Sequence, residues 1–234
     1  MKKSFWIGFL LLLGGMLAAT ESSPLWMRYP SLSPDGKTIV FSFRDDLYRV
    51  SAKGGQAQPL TAHEAYDYAP VWSPDGHSIA FASNRYGNFD VFIMPSEGGE
   101  PVRLTFHSAN QVPTSFTPDG RYVLFSATMA DDPRNAQFPS GILSELYRVP
   151  VDGGRVEQVL TTPAEEASYD SSGAFLVYQD RKGYENIWRK HHTSSVARDI
   201  WLYRPETGNH TRLTSFAGED RSPVLSSDGR TLYY

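Results

Sequence analysis

Apolar and polar positions alternate in short bursts along this chain, and each burst follows the same kind of tight turn. Ile39, Ile79, Val123, Leu176 and Leu232 stand three residues beyond a turn glycine, or its equivalent, and Phe41, Phe81, Phe125, Tyr178 and Tyr234 stand five beyond it. Side chains at i and i+2 share one face of a strand, so these pairs predict a recurring strand buried on at least one side. The turns are Ser33-Pro34-Asp35-Gly36, Ser73-Pro74-Asp75-Gly76, Thr117-Pro118-Asp119-Gly120 and Ser226-Ser227-Asp228-Gly229, with a degenerate copy at Ser171-Ser172-Gly173. Proline presets φ for the first turn position, aspartate tolerates the tight geometry, and glycine supplies the positive φ.

A second predicted strand opens with an acidic, an aliphatic and an aromatic residue: Asp46-Leu47-Tyr48, Asp90-Val91-Phe92, Glu145-Leu146-Tyr147 and Asp199-Ile200-Trp201. A glycine turn follows, then a third strand ending in Leu60-Thr61, Leu104-Thr105, Leu160-Thr161 or Leu213-Thr214. A fourth, such as Pro70-Val71-Trp72-Ser73, leads into the next turn. Four antiparallel strands per unit, repeated at a fixed period, predict an all-β fold: a β-propeller built of four-stranded antiparallel blades. The blades fall at about residues 25–61, 62–105, 106–161 and 162–214, with a partial fifth at 215–234.

Spacing separates constant from variable parts. From acidic residue to the leucine of Leu-Thr the steps are 14, 14, 15 and 14, whereas from turn glycine to acidic residue they are 10, 14, 25 and 26. The substantial length variation therefore lies in one connection of each blade, on the rim that also carries the links between blades. Insertions gathered on one face of a repeat array mark its working face.

Composition narrows the function classes. The net charge of −4 and the absence of a Lys/Arg run interleaved with aromatics disfavour nucleic-acid binding. No cysteine is present, so disulfides and thiolate sites are excluded. Residues 1–20 read as a signal peptide: Lys2 and Lys3 precede an apolar stretch from Phe5 to Leu17, and Ala18-Ala19 supply small residues near a cut. That predicts export to the periplasm or beyond. Thr231-Leu232-Tyr233-Tyr234 lie inside a predicted strand with no third or fourth strand after it, so the chain reads as the front part of a longer protein.

The run Tyr68-Ala69-Pro70-Val71-Trp72-Ser73-Pro74-Asp75-Gly76, followed by Ile79 to Arg85 and Asp90-Val91-Phe92, resembles the propeller repeats of TolB and of tricorn-type proteases. The fourth insertion, from Trp188-Arg189-Lys190-His191-His192 through Arg198-Asp199-Ile200-Trp201, resembles the corresponding segment of bacterial tricorn-like serine peptidases. This resemblance implies a propeller region that admits or positions peptide or protein substrates. A second propeller, a PDZ-like module and a peptidase core would follow in the C-terminal part. No catalytic residue carries over, because no matching position exists in this sequence. Homo-oligomerisation is left open. The alternatives are a non-enzymatic TolB-like periplasmic scaffold that binds protein partners, and the propeller of a prolyl-oligopeptidase-type enzyme.

Two groups are candidates for substrate or partner contact. Arg189, Lys190, His191, His192 and Arg198 form a cationic patch on the fourth insertion, suited to a peptide carboxylate. Tyr66 and Tyr68, with His63 nearby, lie on an inter-blade connection of the same rim. Adjacent histidines lack the spacing of zinc motifs, and Asp131, Asp132 and Asn135 lack a calcium-loop ligand series. Neither a metal nor another cofactor is expected. No nucleophile elbow, phosphate-cradling glycine loop or His-Glu-x-x-His appears.

Overall fold

A computed structural model describes residues 26–129, 143–183 and 193–234. The proposed signal segment, and the Asp131, Asp132 and Asn135 loop, lie outside these residues. The described residues contain strands and turns and no helix.

The strands form successive antiparallel sheets in chain order. The first sheet holds β1 (Arg28–Leu32), β2 (Thr38–Phe43), β3 (Asp46–Ser51) and β4 (Gln58–Pro59), and the second β5 (Asp67–Trp72), β6 (Ser78–Ser83), β7 (Asp90–Pro95) and β8 (Val102–Arg103). The third holds β9 (Gln111–Phe116), β10 (Tyr122–Ala127), β11 (Glu145–Pro150) and β12 (Glu157–Leu160). The fourth holds β13 (Ala164–Tyr169), β14 (Leu176–Asp180), β15 (Ile200–Arg204) and β16 (Asn209–Arg212), and a two-stranded sheet follows with β17 (Val224–Leu225) and β18 (Leu232–Tyr233). Four full blades and the beginning of a fifth are thus in place. The first strands of neighbouring blades, β1, β5, β9 and β13, pack against one another in succession, as strands nearest a common hub must.

The turns work as their residue types predict. The Ser33 hydroxyl donates to Asp35 Oδ1 at 2.7 Å and accepts from the Thr38 N–H at 2.9 Å, while the Gly36 N–H donates to the Ser33 carbonyl at 2.8 Å. Gly36 sits at φ 70°, a left-handed conformation open to glycine at no steric cost. The degenerate fourth copy keeps this network with its partners exchanged. Asp170 stands where the other turns have Ser or Thr, Ser172 stands at the aspartate position, and the hydroxyl of Ser172 donates to Asp170 Oδ2.

The aromatic positions face each other across the central strand pair. Phe41, Phe81 and Phe125 lie directly opposite Tyr48, Phe92 and Tyr147 in register, with stacked rings at 6.0, 5.9 and 5.7 Å. Burial extends to both faces in the middle blades: Ile79, Ala80, Phe81 and Ala82 are all fully buried, as are Val123, Leu124 and Phe125. The reason is that one face of each blade forms a core with the blade before and the other with the blade after. Val40 and Leu47 meet Ile79, Phe81 and Phe92; Ala80, Val91 and Leu104 meet Val123, Phe125 and Tyr147; Leu124 and Leu146 meet Leu176 and Tyr178. Each fully buried phenylalanine contributes about 1.5–3 kcal/mol over an exposed one.

The Leu-Thr motif has a definite task. The hydroxyls of Thr61, Thr105 and Thr214 accept from the N–H groups of Leu47, Val91 and Ile200 at 2.9, 2.8 and 3.1 Å. The third blade departs from this, and its spacing of 15 instead of 14 explains why. The extra residue is taken up as a register shift between Leu146 and Tyr147, and Thr161 is left exposed with no bond to Leu146.

Candidate functional site

The insertion-bearing connections and the links between blades share one rim, and a repeated backbone clasp holds them together. The N–H of Asp67, Gln111, Ala164 and Asp220, each entering a new blade, donates to the carbonyl of Asp45, Phe89, Ser144 and Arg198 at 2.7, 2.8, 2.8 and 3.1 Å. Each of those acceptors immediately precedes the acidic residue at the head of β3, β7, β11 or β15. The clasp fixes where every insertion ends relative to the next blade's innermost strand.

That innermost strand bulges just past the clasp. Tyr29, Ala69, Glu166 and Ser222 occupy equivalent positions, seven residues before the turn glycine, and all have left-handed φ between 51° and 53°. The third blade has Pro113 there, whose ring forbids a positive φ, so its register shift is taken up without one. Non-glycine residues held in this region carry strain, and such residues gather at binding and catalytic sites.

Two clusters flank the bulges. At the junction of blades 1 and 2, Tyr66 stacks on Tyr68 at 5.3 Å, Phe89 meets Tyr68 edge-on at 4.9 Å, and Tyr29 leans on Tyr68 at 5.2 Å. The Tyr66 N–H is pinned by Asn84 Oδ1 at 2.8 Å. Burial, reinforced by Tyr29 and Tyr66, pushes the Tyr68 hydroxyl well above its usual range; burial also raises Tyr66, with Arg28 opposing it. Both rings therefore present neutral hydroxyls. His63 is exposed and closes a local turn, its Nδ1 accepting from the Ala65 N–H at 3.0 Å.

The second cluster lies where blade 4 meets the fifth sheet. Arg198 is 4% exposed, and its guanidinium bridges Glu219 at 2.9 Å and Glu165 at 3.6 Å. Glu165 also takes Arg181 and the Ser144 hydroxyl. Burial alone would raise the Glu165 carboxyl; the bonds from Ser144 and Arg181, together with the charges of Arg181 and Arg198, hold it below its ordinary value. Its neighbour Glu166 behaves oppositely. Glu166 reaches solvent, yet crowding by protein and then repulsion from Glu165 raise its carboxyl, and Arg221 and Arg198 offset this only in part. Lys182 reaches across the base of the insertion to the Ala197 carbonyl at 2.7 Å and to the carboxylate of Asp199.

Of the residues read from sequence, Tyr66 and Tyr68 are brought together, while Arg198 lies at a different junction and is already committed to two carboxylates. Arg189, Lys190, His191 and His192 lie outside the described residues. The sequence reading passed over Tyr29, Phe89, Glu165, Glu166, Arg181 and Glu219. Counting outward from the turn glycine would have found the bulge residues, since Glu165-Glu166 stand where other blades carry Tyr68-Ala69 and Val112-Pro113. Among the described residues no group of three or more His, Cys, Asp or Glu is arranged to hold a metal ion.

Four-stranded antiparallel blades that follow one another in chain order, with their first strands packed in succession, define a β-propeller fold. Residues 24–197 match the tricorn protease N-terminal β-propeller domain, and the chain belongs to that family. It is 28% identical over 192 residues to tricorn protease homolog 1 of Streptomyces coelicolor, covering 82% of this chain and 17% of that protein. A shorter stretch of 71 residues is 39% identical to dipeptidyl-peptidase 5 of Porphyromonas gingivalis, covering 26% of this chain and 10% of the relative. Among solved structures, the tricorn protease superposes with a TM-score of 0.70 at 22% identity, over 87% of this chain and 20% of that one. TolB from Acinetobacter baumannii superposes at 0.65 with 20% identity, over 89% of this chain and 48% of that one. The chain thus spans less than a fifth of the length of the curated relatives it matches.

Proposed function

We propose that this chain is the propeller region of an exported tricorn-like serine peptidase, and that its insertion-bearing rim admits or positions peptide substrates for a catalytic core elsewhere in the protein. Family membership across most of the chain carries the reading, together with likeness to a tricorn protease homolog of which the chain corresponds to 17%. The likeness to the Acinetobacter baumannii TolB structure, at 20% identity, is one of fold alone, and the sequence match to a TolB homolog of Chlorobium luteolum, 39% identical over 57 residues, covers 24% of this chain. The rim offers the chemistry that peptide handling needs: an aromatic platform with neutral hydroxyls at Tyr66 and Tyr68, and a charged cluster at Glu165, Glu166 and Arg198. Export is supported by the charged, apolar and small-residue succession in residues 1–20.

The test uses the complete gene product. Hydrolysis of a series of peptides of increasing length is compared between wild type and Tyr66→Ala, alongside a small activated ester that needs no rim. The variant is expected to raise KM for long peptides several-fold and to leave ester hydrolysis unchanged. An equal effect on both substrates, or a gene product without peptidase activity, would overturn the proposal.

A further inference from the structure

Two large aromatic side chains stand out on the rim of blade 2. Tyr86, in the connection from β6 to β7, is 66% exposed, and Phe106, on the link from β8 to β9, is 72% exposed. Both are held. The Arg103 guanidinium lies over both rings, its central carbon 4.6 Å from the Tyr86 centroid and 4.7 Å from that of Phe106. Tyr86 also lies parallel to the buried Phe92 at 6.2 Å. Asn88 Nδ2 donates to the carbonyls of His107 and Ala109 at 2.8 and 3.1 Å, and the Phe89 N–H donates to Asn110 Oδ1 at 3.1 Å, so connection and link are tied together. An apolar pair kept exposed yet fixed in place suits contact with a partner, since little side-chain freedom is lost on binding.

The charge of this patch narrows what it can take. Arg103 Nε donates to the Thr105 carbonyl at 2.8 Å, and a terminal nitrogen pairs with Asp90 at 2.7 Å. Residues 84–89 and 103–110 contain no carboxylate. Arg85 and Arg103 are answered instead by Asp67 and Asp90, whose side chains are fully buried. An acidic ligand would therefore meet guanidiniums already neutralised, and a cationic ligand would meet rings already covered by Arg103. A guanidinium carries five N–H donors, more than these two contacts use. The patch thus offers aromatic surface flanking a donor in a neutral setting, which suits a carbonyl oxygen set between apolar rings. Two rings this close to one carbon lie at most about 9 Å apart, and a polyproline II segment advances ~3.1 Å per residue, so prolines three positions apart reach both. That conformation has no internal hydrogen bonds, which leaves its carbonyls free to accept from Arg103.

We propose that Tyr86 and Phe106, coupled through Arg103, form a docking site for an extended proline-bearing segment in the polyproline II conformation. Each ring packs against one proline, and Arg103 donates to a peptide carbonyl. The site lies within blade 2 and its link to blade 3, and it stands whether or not the parent protein is a peptidase.

The probe is fluorescein-labelled Pro-Ala-Leu-Pro-Ala-Leu-Pro. Its binding to the complete gene product is followed by anisotropy, with mass spectrometry confirming that the peptide stays intact. Two comparison peptides carry the same label: Leu-Pro-Pro-Pro-Ala-Leu-Ala, of identical composition without the three-residue spacing, and Glu-Ala-Leu-Glu-Ala-Leu-Glu, with a carboxylate for each proline. The spaced peptide should bind about tenfold tighter than either. Phe106→Ala should remove that advantage, as should Tyr86→Ala. Val102→Ala changes an exposed neighbour (58%) on the other face of β8 and should leave it unaltered. Affinity should move by less than about twofold between about 0.05 and 0.5 M salt, because no net charge is neutralised on binding. Equal binding of the spaced and clustered peptides, tighter binding of the glutamate peptide, an advantage that survives both ring variants, or no binding at all overturns the proposal. Should a ring variant misfold by circular dichroism, the three-peptide comparison on wild type decides alone.

Discussion

Arg198→Ala tests whether this guanidinium holds blade 4 to the following sheet. The wild-type side chain is 5% exposed and joins Glu165 on the innermost strand of blade 4 to Glu219 on the link beyond it. Removing one partner from a buried ion pair costs about 3–5 kcal/mol, mostly for the charge left behind. The lower end applies here, because Glu165 keeps Arg181 and Ser144, and Glu219 keeps Arg221 at 3.5 Å. For a chain of this size about 3 kcal/mol lowers the melting temperature by about 6–12 °C. The assay is thermal melting followed by circular dichroism in the β-sheet band, at neutral pH. Glu219→Gln in the same background removes the stranded charge, so the double variant should be less destabilised than the two singles added together, by about 0.5–3 kcal/mol. A melting temperature within about 2 °C of wild type, or strict additivity, would show that Arg198 is not a structural clamp.

Thr105→Val should cost about 1–3 kcal/mol, because it leaves the buried Val91 N–H without its acceptor, whereas Thr161→Val should change stability by less than about 0.5 kcal/mol; denaturant unfolding compares them. Gly120→Ala should cost about 1–2 kcal/mol from its φ of 70° alone, since the added methyl would meet Pro74 at an ordinary 3.9 Å; the same unfolding assay measures it. Glu166→Gln should raise the melting temperature at neutral pH. The folded-state pKa of Glu166 lies above its ordinary 4.5, so its ionisation destabilises the fold as pH rises through the folded value, and the gain from the variant should vanish well below pH 4.5. A melting profile in which the gain instead grows toward acid would refute that sign.

The blade plan was legible because it rests on local chemistry. Pro-Asp-Gly fixes a turn, Ile79 and Phe81 fix a strand face, and Asp90-Val91-Phe92 fixes the partner strand, so pattern alone orders three strands. Burial on both faces was not legible, since Ala80 and Ala82 look neutral in sequence and are buried only because another blade packs over them. The candidate site was visible in part for the same reason. Tyr66 and Tyr68 stand close in the chain, but Phe89 reaches them from a different connection and Tyr29 from a different blade. Arg198 read as a free cation because its partners, Glu165 and Glu219, are 33 and 21 residues away.

The third blade shows how the repeat tolerates change without losing its geometry. One added residue between Glu145 and Leu160 breaks the threonine bond to the strand, yet the Leu160 side chain stays 4% exposed in the core and the clasp from Ala164 to Ser144 keeps its 2.8 Å length. The bulge therefore absorbs the insertion between two fixed points, the apolar anchor and the rim clasp. The long connections of blades 3 and 4 begin and end at such fixed points as well, with Lys182 and Arg198 standing at the base of the longest. Length can thus be added on this rim without disturbing the inter-blade cores. The role proposed for this rim needs that separation, because its loops can vary while Phe81, Phe125 and Tyr178 keep the blades in place.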